Sequence, residues 1–188
     1  MNIAVLGGSF DPPHIGHYFV LKQILELRPD IDKILLMPVY QHQWKPVQAS
    51  ITDRLNMLAC LTNERVEISD IEIKRKGISY TKDTVKEIKK QTKANVYWVV
   101  GSDIVAEYEK WDNTDDLFDF TTFLVFPRDP YHIPQNLPKG FEIIDDKNLI
   151  TTNISSTVIR NRIKVEKAIS YLVPKEVEAY IQKNGLYK

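Results

Sequence analysis

The first seventeen residues constrain the fold more than any other part of the chain. The apolar run at residues 3–6 has the length and composition of a buried strand. Two glycines follow at once, and Asp11-Pro12-Pro13 then stops the strand, because proline has no amide hydrogen to donate to a ladder. From His14 to about Leu27, apolar residues recur at three- and four-residue steps, as in a helix. The stretch therefore predicts a strand, a glycine turn and a helix, the first βα unit of an open α/β sheet.

Two histidines make this turn chemically unusual. His14 and His17 are three residues apart, so they share one face of the first helical turn. Free backbone amides and the helix dipole favour an anion at the same place. The histidines and amides together can hold a phosphate. Judged alone, however, His-x-x-His is more often an ordinary turn with two surface histidines, and two ligands do not make a zinc site.

The rest of the chain alternates strand and helix patterns. Strands are predicted at residues 33–37, 96–100, 123–126 and 141–144, and helices begin near residues 52, 81, 153 and 174. Apolar Val66, Ile68, Ile71 and Ile73 alternate with polar residues, which also predicts a strand. The alternation predicts a doubly wound, mainly parallel sheet with helices on both faces, in a single domain over residues 1–188. Right-handed crossovers then bring the glycine turns at Gly7 and Gly101 to one edge.

Composition narrows the partners and the location. The 188 residues include 25 basic and 25 acidic side chains, so net charge gives no argument for nucleic acid or an anionic membrane as a partner. No apolar run has the length of a membrane span, and Met1-Asn2 leads directly into the first strand, without a signal peptide. A cytoplasmic protein is expected. The one cysteine, Cys60, excludes a disulfide within the chain.

A second motif lies near the other end of the chain, at Ile154-Ser155-Ser156-Thr157 with Arg160 one turn further on. Hydroxyls and free amides at a helix start can hold phosphate oxygens, and a guanidinium can reach the same oxygens with two hydrogen bonds. Ordinary N-capping beside a surface arginine is equally frequent for such a pattern alone. Its occurrence together with the histidine turn favours a shared phosphate site.

Both motifs resemble elements of one enzyme superfamily. Residues 8–17, Gly-Ser-Phe-Asp-Pro-Pro-His-Ile-Gly-His, resemble the nucleotidyltransferase signature that ends in His-x-Gly-His, and residues 154–160 resemble its Ile-Ser-Ser-Thr-x-x-Arg element. Gly101-Ser102-Asp103 followed by Trp111, and Ser79-Tyr80-Thr81 followed by Thr84, resemble elements of the pyridine-nucleotide adenylyltransferases. The resemblance extends over nearly the whole chain and is strongest to the bacterial nicotinate mononucleotide adenylyltransferases. It implies a Rossmann-like fold.

The resemblance also implies an activity. These enzymes join ATP and nicotinate mononucleotide into deamido-NAD and release pyrophosphate. The acceptor phosphate attacks the α-phosphorus in line, so catalysis consists of positioning and charge stabilisation. Mg²⁺ is the implied cofactor, held by the triphosphate and water rather than by protein ligands.

Roles for individual residues follow from the same resemblance. The implied catalytic residues are His17, His14, Arg160 and Lys45. The implied ATP and phosphate ligands are Gly7, Gly8, Ser9, Phe10, His14, His17, Ser155, Ser156 and Arg160. Asp103 is implied to accept ribose hydroxyls, and the pyridine mononucleotide would meet Lys45, Thr81, Trp111 and Asp112. Without the resemblance, Asp103 is as readily explained as an N-cap, Trp111 as a core residue and Lys45 as a solvated side chain.

Two departures from the family pattern keep further functions open. The chain has His42-Gln43-Trp44-Lys45 where the family commonly has Pro-His-Lys, and Asp112 where many relatives carry tyrosine. A carboxylate at Asp112 would repel a substrate carboxylate unless it points away, so nicotinamide mononucleotide is an alternative acceptor. A different phosphorylated acceptor, such as phosphopantetheine, and a nucleotide-binding sensor without turnover are also compatible with the motifs. His42 and His132 receive no role, Arg54 is expected to be structural, and the sequence does not predict the oligomeric state.

Overall fold

Six parallel strands form one sheet in the computed structural model of this protein, which describes residues 1–41, 46–105, 116–128, 130, 131, 133, 136, 137 and 139–188. The strands, all parallel and in the spatial order β3-β2-β1-β4-β5-β6, are β1 (Asn2–Gly8), β2 (Lys33–Pro38), β3 (Val66–Ile68), β4 (Asn95–Gly101), β5 (Thr121–Phe126) and β6 (Phe141–Ile143). The predicted Rossmann-like, doubly wound sheet is confirmed.

Helices cover both faces of the sheet. Over the described residues they are α1 (Ile15–Leu27), α2 (Ile51–Leu58), α3 (Ile71–Arg75), α4 (Thr81–Thr92), α5 (Ser102–Val105), α6 (Ser156–Lys164) and α7 (Lys175–Asn184). Short 3₁₀ turns follow at Ala59–Leu61 and Leu117–Asp119. Within this part of the chain, no helix has both the length and the apolar character needed to cross a membrane.

The alternation of side chains along β1 explains the two layers. Ala4 and Leu6 face one apolar cluster together with α1, whereas Ile3 and Val5 face a second cluster together with α4. All four side chains are buried. Burying an apolar side chain contributes about 1.5–3 kcal/mol for residues of the size of Val, Leu or Ile, so a strand buried on both faces is strongly fixed at the centre of the sheet.

A third apolar cluster packs α6 against α2 and α7. It joins Met57 of α2, Ile159 of α6 and Val177 of α7 with Ala49 and Tyr187. This packing holds the second predicted phosphate motif in place, although the motif is far from the first one in sequence.

The two glycine turns meet at the carboxyl edge of the sheet. β1 and β4 are neighbours, with Leu6 opposite Val99, so Gly7 and Gly101 end adjacent strands on one edge, as predicted. From β1 the chain passes to β2 on one side and later returns to β4 on the other, which makes this position the topological switch point. Open α/β sheets bind their ligands at such a point.

The strand predicted to continue through Ile71 and Ile73 is wrong. β3 ends at Ile68, and residues Ile71–Arg75 form α3. After the amide of Ser69 donates to the carbonyl of Leu36, the next amides turn back on the chain, Lys74 to Asp70 and Lys76 to Glu72. Alternating isoleucines did not distinguish the two conformations because a single helical turn contains too few residues to show its period.

Candidate active site

A cavity of about 890 Å³ opens at the carboxyl edge of the sheet, above the ends of β1 and β4. This volume lies within the range of small-molecule sites. Every predicted site residue that the structure describes lines it: Gly7, Gly8, Ser9, Phe10, His14, His17, Thr81, Asp103, Ser155, Ser156 and Arg160. The other predicted site residues, Lys45, Trp111 and Asp112, lie outside the described residues, as do His42 and His132.

The two histidine rings lie close together at the start of α1, tilted by 30° to each other. His14 occupies the N-cap position, and its backbone N–H donates to Nδ1 of His17 at 3.1 Å. The two ring centroids are 3.7 Å apart, and the ring of Phe10 lies 4.9 Å from that of His17. Because Nδ1 of His17 accepts a hydrogen bond, the neutral ring carries its proton on Nε2. His17 therefore offers the cavity an Nε2–H donor.

Both imidazoles are neutral at pH 7. Burial, with a smaller contribution from the positive charge of Arg128, lowers the pKa of His17 to about 3. The pKa of His14 is also well below its usual value, because the ring is buried and lies close to His17 and Arg128. Two charged imidazoles this close together would repel each other, so the proximity of His17 also lowers the pKa of His14. The site therefore offers neutral N–H donors to an anion rather than imidazolium charge.

The glycine between the histidines has a steric reason. A Cβ atom on Gly16 would lie 2.9 Å from Nδ1 of His14 and 3.2 Å from Cγ2 of Thr152. Any other residue would push the imidazole away from the helix. Gly16 therefore allows the His14 ring to lie against α1, and Nδ1 of that ring is buried without a hydrogen-bond partner among the described residues.

Two buried side chains, Phe10 and Arg54, fix the conformation of the glycine turn. Phe10 has a φ of 49°, in the left-handed region that side chains rarely adopt, and its side chain is buried beneath His17. Arg54 is buried as well, and its Nη1 donates to the carbonyls of Ser9 at 2.9 Å and Val39 at 2.8 Å. These bonds join the glycine turn to the end of β2, which is the structural role expected for Arg54.

The two phosphate motifs contact each other directly. Nη1 of Arg160 donates to the carbonyl of Asp11 at 2.6 Å, and the hydroxyl of Ser156 donates to the carbonyl of Pro12 at 2.8 Å. Ser155 caps α6, because its Oγ accepts the amide hydrogen of Val158 at 3.3 Å. The start of the chain and α6 therefore face one cavity, which is the arrangement that a shared phosphate site requires.

Asp103 presents one unpaired oxygen at the end of β4. Its Oδ2 accepts from Nη1 of Arg128 at 3.2 Å, whereas Oδ1 is buried and has no partner within the described part of the chain. A Cβ on Gly101 would lie only 2.2 Å from Oδ1, so the glycine makes room for the carboxylate. A buried acceptor without a donor can accept a hydroxyl hydrogen from a ligand.

Arg128 is a site residue that the sequence motifs missed. Its amide donates to Oγ of Ser102 at 3.0 Å, and its guanidinium pairs with Asp103. The hydroxyl of buried Ser102 lies 3.2 Å from the carbonyl of Arg128 and 3.0 Å from that of Tyr131, which holds this segment against the turn. The available signal was topological: Arg128 follows β5, and β5 ends at the same edge as β4.

Thr81 lies at the start of α4, at the other end of the cavity. A polar cluster holds this helix: Thr84 donates from Oγ1 to Oε1 of Glu72 at 2.8 Å, and Nη2 of Arg75 donates to the same hydroxyl at 3.0 Å. Burial raises the pKa of the Glu72 carboxyl, and the hydrogen bond from Thr84 opposes that rise. The first amides of α4, next to Thr81, can bind a carboxylate at this end.

The fold and the site together define a class of protein. At its switch point the parallel sheet carries two imidazoles, the guanidinium groups of Arg128 and Arg160, and two helix starts. This arrangement fits a nucleotide and the transfer of a nucleotidyl group. The Cytidylyltransferase-like family matches residues 5–162, so the chain belongs to that family.

Full-length relatives identify the branch of this family. The chain is 37% identical to a probable nicotinate-nucleotide adenylyltransferase of Halalkalibacterium halodurans, over 100% of this chain and 91% of the relative. It is 35% identical to a protein of the same name from Clostridium botulinum (strain Kyoto / Type A2), over 100% of both chains. The chain is therefore a member of the nicotinate-nucleotide adenylyltransferase family.

Solved structures confirm the fold. The nicotinic acid mononucleotide adenylyltransferase of Plasmodium falciparum complexed with NaAD superimposes with a TM-score of 0.84 at 24% identity, over 99% of this chain and 97% of that one. The same enzyme complexed with APC gives a TM-score of 0.82 at 23% identity, over 99% and 96% of the two chains.

Proposed function

We propose that this protein transfers the adenylyl group of ATP to nicotinate mononucleotide, forming deamido-NAD and pyrophosphate in NAD biosynthesis. The relatives that match the whole of this chain are named for this activity. The observation that carries the proposal is that His14, His17 and Arg160, from two distant parts of the chain, line one cavity at the switch point of the sheet. This is where a triphosphate would be held from two sides.

The reaction needs no nucleophile from the protein. An oxygen of the acceptor phosphate, already ionised, forms a bond to the α-phosphorus of ATP. The bond from that phosphorus to the bridging oxygen breaks, and pyrophosphate leaves with the electron pair. Negative charge builds on the α-phosphate oxygens during this exchange. The Nε2–H of His17 would donate to one of these oxygens, and a neutral donor fixed by Phe10 and His14 needs no reorganisation to do so.

The other residues of the phosphate end would hold the remaining charge. His14 and the amides of the turn from Gly7 to Phe10 would bind phosphate oxygens, with Gly8 and Ser9 contributing backbone rather than side-chain groups. Ser155, Ser156 and Arg160 would bind the departing pyrophosphate. Toward the pyridine end, Asp103, whose Oδ1 has no partner among the described residues, would accept a ribose hydroxyl.

For the pyridine end of the site, the proposed roles come mainly from the family resemblance rather than from contacts in the structure. Amides near Thr81 and Asp112 would bind the carboxylate of nicotinate, Trp111 would stack on the ring, and Lys45 would hold the acceptor phosphate. The alternative acceptor is nicotinamide mononucleotide, which carries no carboxylate for the negative charge of Asp112 to repel.

Mg²⁺ would enter with ATP. Among the described residues, no group of three or more His, Cys, Asp or Glu side chains is placed to hold a metal ion. The resemblance implies that oxygens of the triphosphate and water would be its main ligands, and the ion would neutralise part of the triphosphate charge. The cytoplasmic location expected from the sequence stays a prediction.

Pyrophosphate release in parallel reactions tests the proposal. The protein is mixed with ATP and Mg²⁺ and then with nicotinate mononucleotide, nicotinamide mononucleotide or phosphopantetheine. We expect the highest kcat/KM with nicotinate mononucleotide. A higher value with either of the two competing acceptors would replace the proposed substrate, and ATP binding without release for any acceptor would establish a sensor instead.

A further inference from the structure

Asp11 joins four parts of the chain behind the phosphate end of the cavity. Its buried carboxylate accepts from the amide of Gln48 at 2.7 Å through Oδ2, and from the amide of Ala49 at 3.0 Å through Oδ1. The hydroxyl of Tyr187 donates to the same Oδ1 at 2.8 Å. The carbonyl of Asp11 accepts from Arg160, whose Nη1 is also 3.9 Å from Oδ2. One residue of the histidine turn therefore fixes both Arg160 and the segment that follows residue 45.

Tyr187 reaches this carboxylate from 176 positions away in the sequence. It follows α7, and its ring is buried in the third apolar cluster beside Ala49 and Ile159. Its φ is 66°, in the left-handed region that disfavours a bulky residue. The buried ring and the hydrogen bond together hold this conformation, so the hydroxyl is placed firmly.

The orientation of the Asp11 carboxylate determines how closely Arg160 pairs with it, and therefore how well Arg160 can bind a phosphate. With three donors on its oxygens, the carboxylate is turned toward the amides and Tyr187, and Arg160 approaches it only at 3.9 Å. Without the tyrosine hydroxyl, Oδ1 keeps one donor and the carboxylate is freer to rotate toward the guanidinium. A closer ion pair would then hold Arg160 back from a phosphate.

We propose that Tyr187 is a positioning residue of the triphosphate site: its hydroxyl fixes the Asp11 carboxylate and thereby prevents a closer ion pair with Arg160. The guanidinium, held by the Asp11 carbonyl and the Thr157 hydroxyl, then keeps its remaining N–H groups for phosphate. The proposal rests on the adenylyltransferase function above. Tyr187 does not line the cavity, so it would act only through Asp11.

Kinetics of Tyr187→Phe test this role. A hydrogen bond to a charged group contributes enough that we expect kcat/KM for ATP to fall about tenfold, with KM for nicotinate mononucleotide changed by less than about twofold. Tyr180→Phe is the matched control. Tyr180 packs against the same cluster and donates to Asp53 at 3.0 Å, but Asp53 does not contact the cavity. This control should keep kcat/KM within about twofold of the unmodified protein.

A second background separates positioning from a general structural role. In Arg160→Met, adding Tyr187→Phe should change kcat/KM for ATP by less than about twofold, because the residue being positioned is gone. The same tenfold loss in both backgrounds, or no loss in either, would overturn the proposal. If the unmodified protein releases no pyrophosphate with any acceptor, the proposed function fails, and the dissociation constant for ATP then decides: an increase of about fivefold or more in Tyr187→Phe supports positioning, and an unchanged constant overturns it.

Discussion

The two ends of the cavity are built in different ways. At the phosphate end, residues 7–17 meet residues 155–160 and Tyr187 through hydrogen bonds that join positions 144 to 176 apart in sequence. At the pyridine end, the contacts are more local: Thr84 bonds to Glu72 at 12 positions, and Arg128 pairs with Asp103 at 25. The phosphate end is fixed by the fold as a whole, whereas the pyridine end is fixed by neighbouring elements.

This difference separates chemistry from acceptor choice. Every enzyme of this kind binds the same triphosphate, so a rigid set of hydrogen-bond donors suits this end of the cavity. The acceptor end can change through local loops without disturbing those donors. We therefore expect substitutions at the phosphate end to change turnover for every acceptor, and substitutions at the pyridine end to change the affinity for one.

The largest effect is expected from His17→Ala. It removes the Nε2–H donor that is proposed to bind the α-phosphate, and losing one such donor costs about a hundredfold in kcat. Steady-state kinetics should show this loss with either pyridine mononucleotide, while circular dichroism shows an unchanged fold. Turnover close to that of the unmodified protein would remove His17 from the chemistry.

An intermediate effect is expected from Trp111→Ala, which would alter the proposed pyridine site. Loss of a stacking surface should raise KM for the pyridine mononucleotide by about tenfold and leave KM for ATP nearly unchanged. The two KM values, measured in the same assay, check this. A raised KM for ATP with an unchanged value for the mononucleotide would refute the stacking role and the division between the two ends.

The smallest effect concerns pH and stability. The pKa of His17 is about 3 in the folded protein against 6.5 for a free histidine, and that of His14 is lowered as well. Between these pKa values, the histidines of the unfolded chain bind protons that they do not bind in the folded protein. The free energy of unfolding therefore falls as the pH falls below 6.5. His17→Gln removes one of these protons and should flatten the slope between about pH 6.5 and 5 by up to about 1.4 kcal/mol per pH unit.

Urea unfolding at several pH values measures this slope. Asn95→Gln, an exposed change in β4 away from the cavity, serves as the control and should keep the slope of the unmodified protein. Equal slopes for His17→Gln and the unmodified protein would mean that the buried histidine is not held neutral.

The sequence allowed most of the sheet and of the phosphate end to be predicted. The central residues of strands such as β1 and β4 are apolar because both faces of these strands are covered, and that signal needs no knowledge of partners. His14 and His17 could be predicted to line the site because they belong to one long motif, and Arg160 because it belongs to a second. The helix α3 could not be predicted, since a single turn of helix and a short strand share the same isoleucine pattern.

The residues that support the site were harder to find. Arg128 has no motif of its own, and only the order of the strands places it beside Asp103. Nothing in the sequence pattern indicated that the hydroxyl of Tyr187 meets Asp11. Such contacts depend on how distant elements pack, which the local pattern of one sequence does not specify.

The central claim is that the two ends of the chain hold one triphosphate between them, and a crystal structure with a non-hydrolysable ATP analogue tests it most directly. We predict that Nε2 of His17 and the guanidinium of Arg160 both lie within about 3.2 Å of phosphate oxygens of the same analogue molecule. An analogue bound away from the cavity, or contacting only one of these two side chains, would contradict the account.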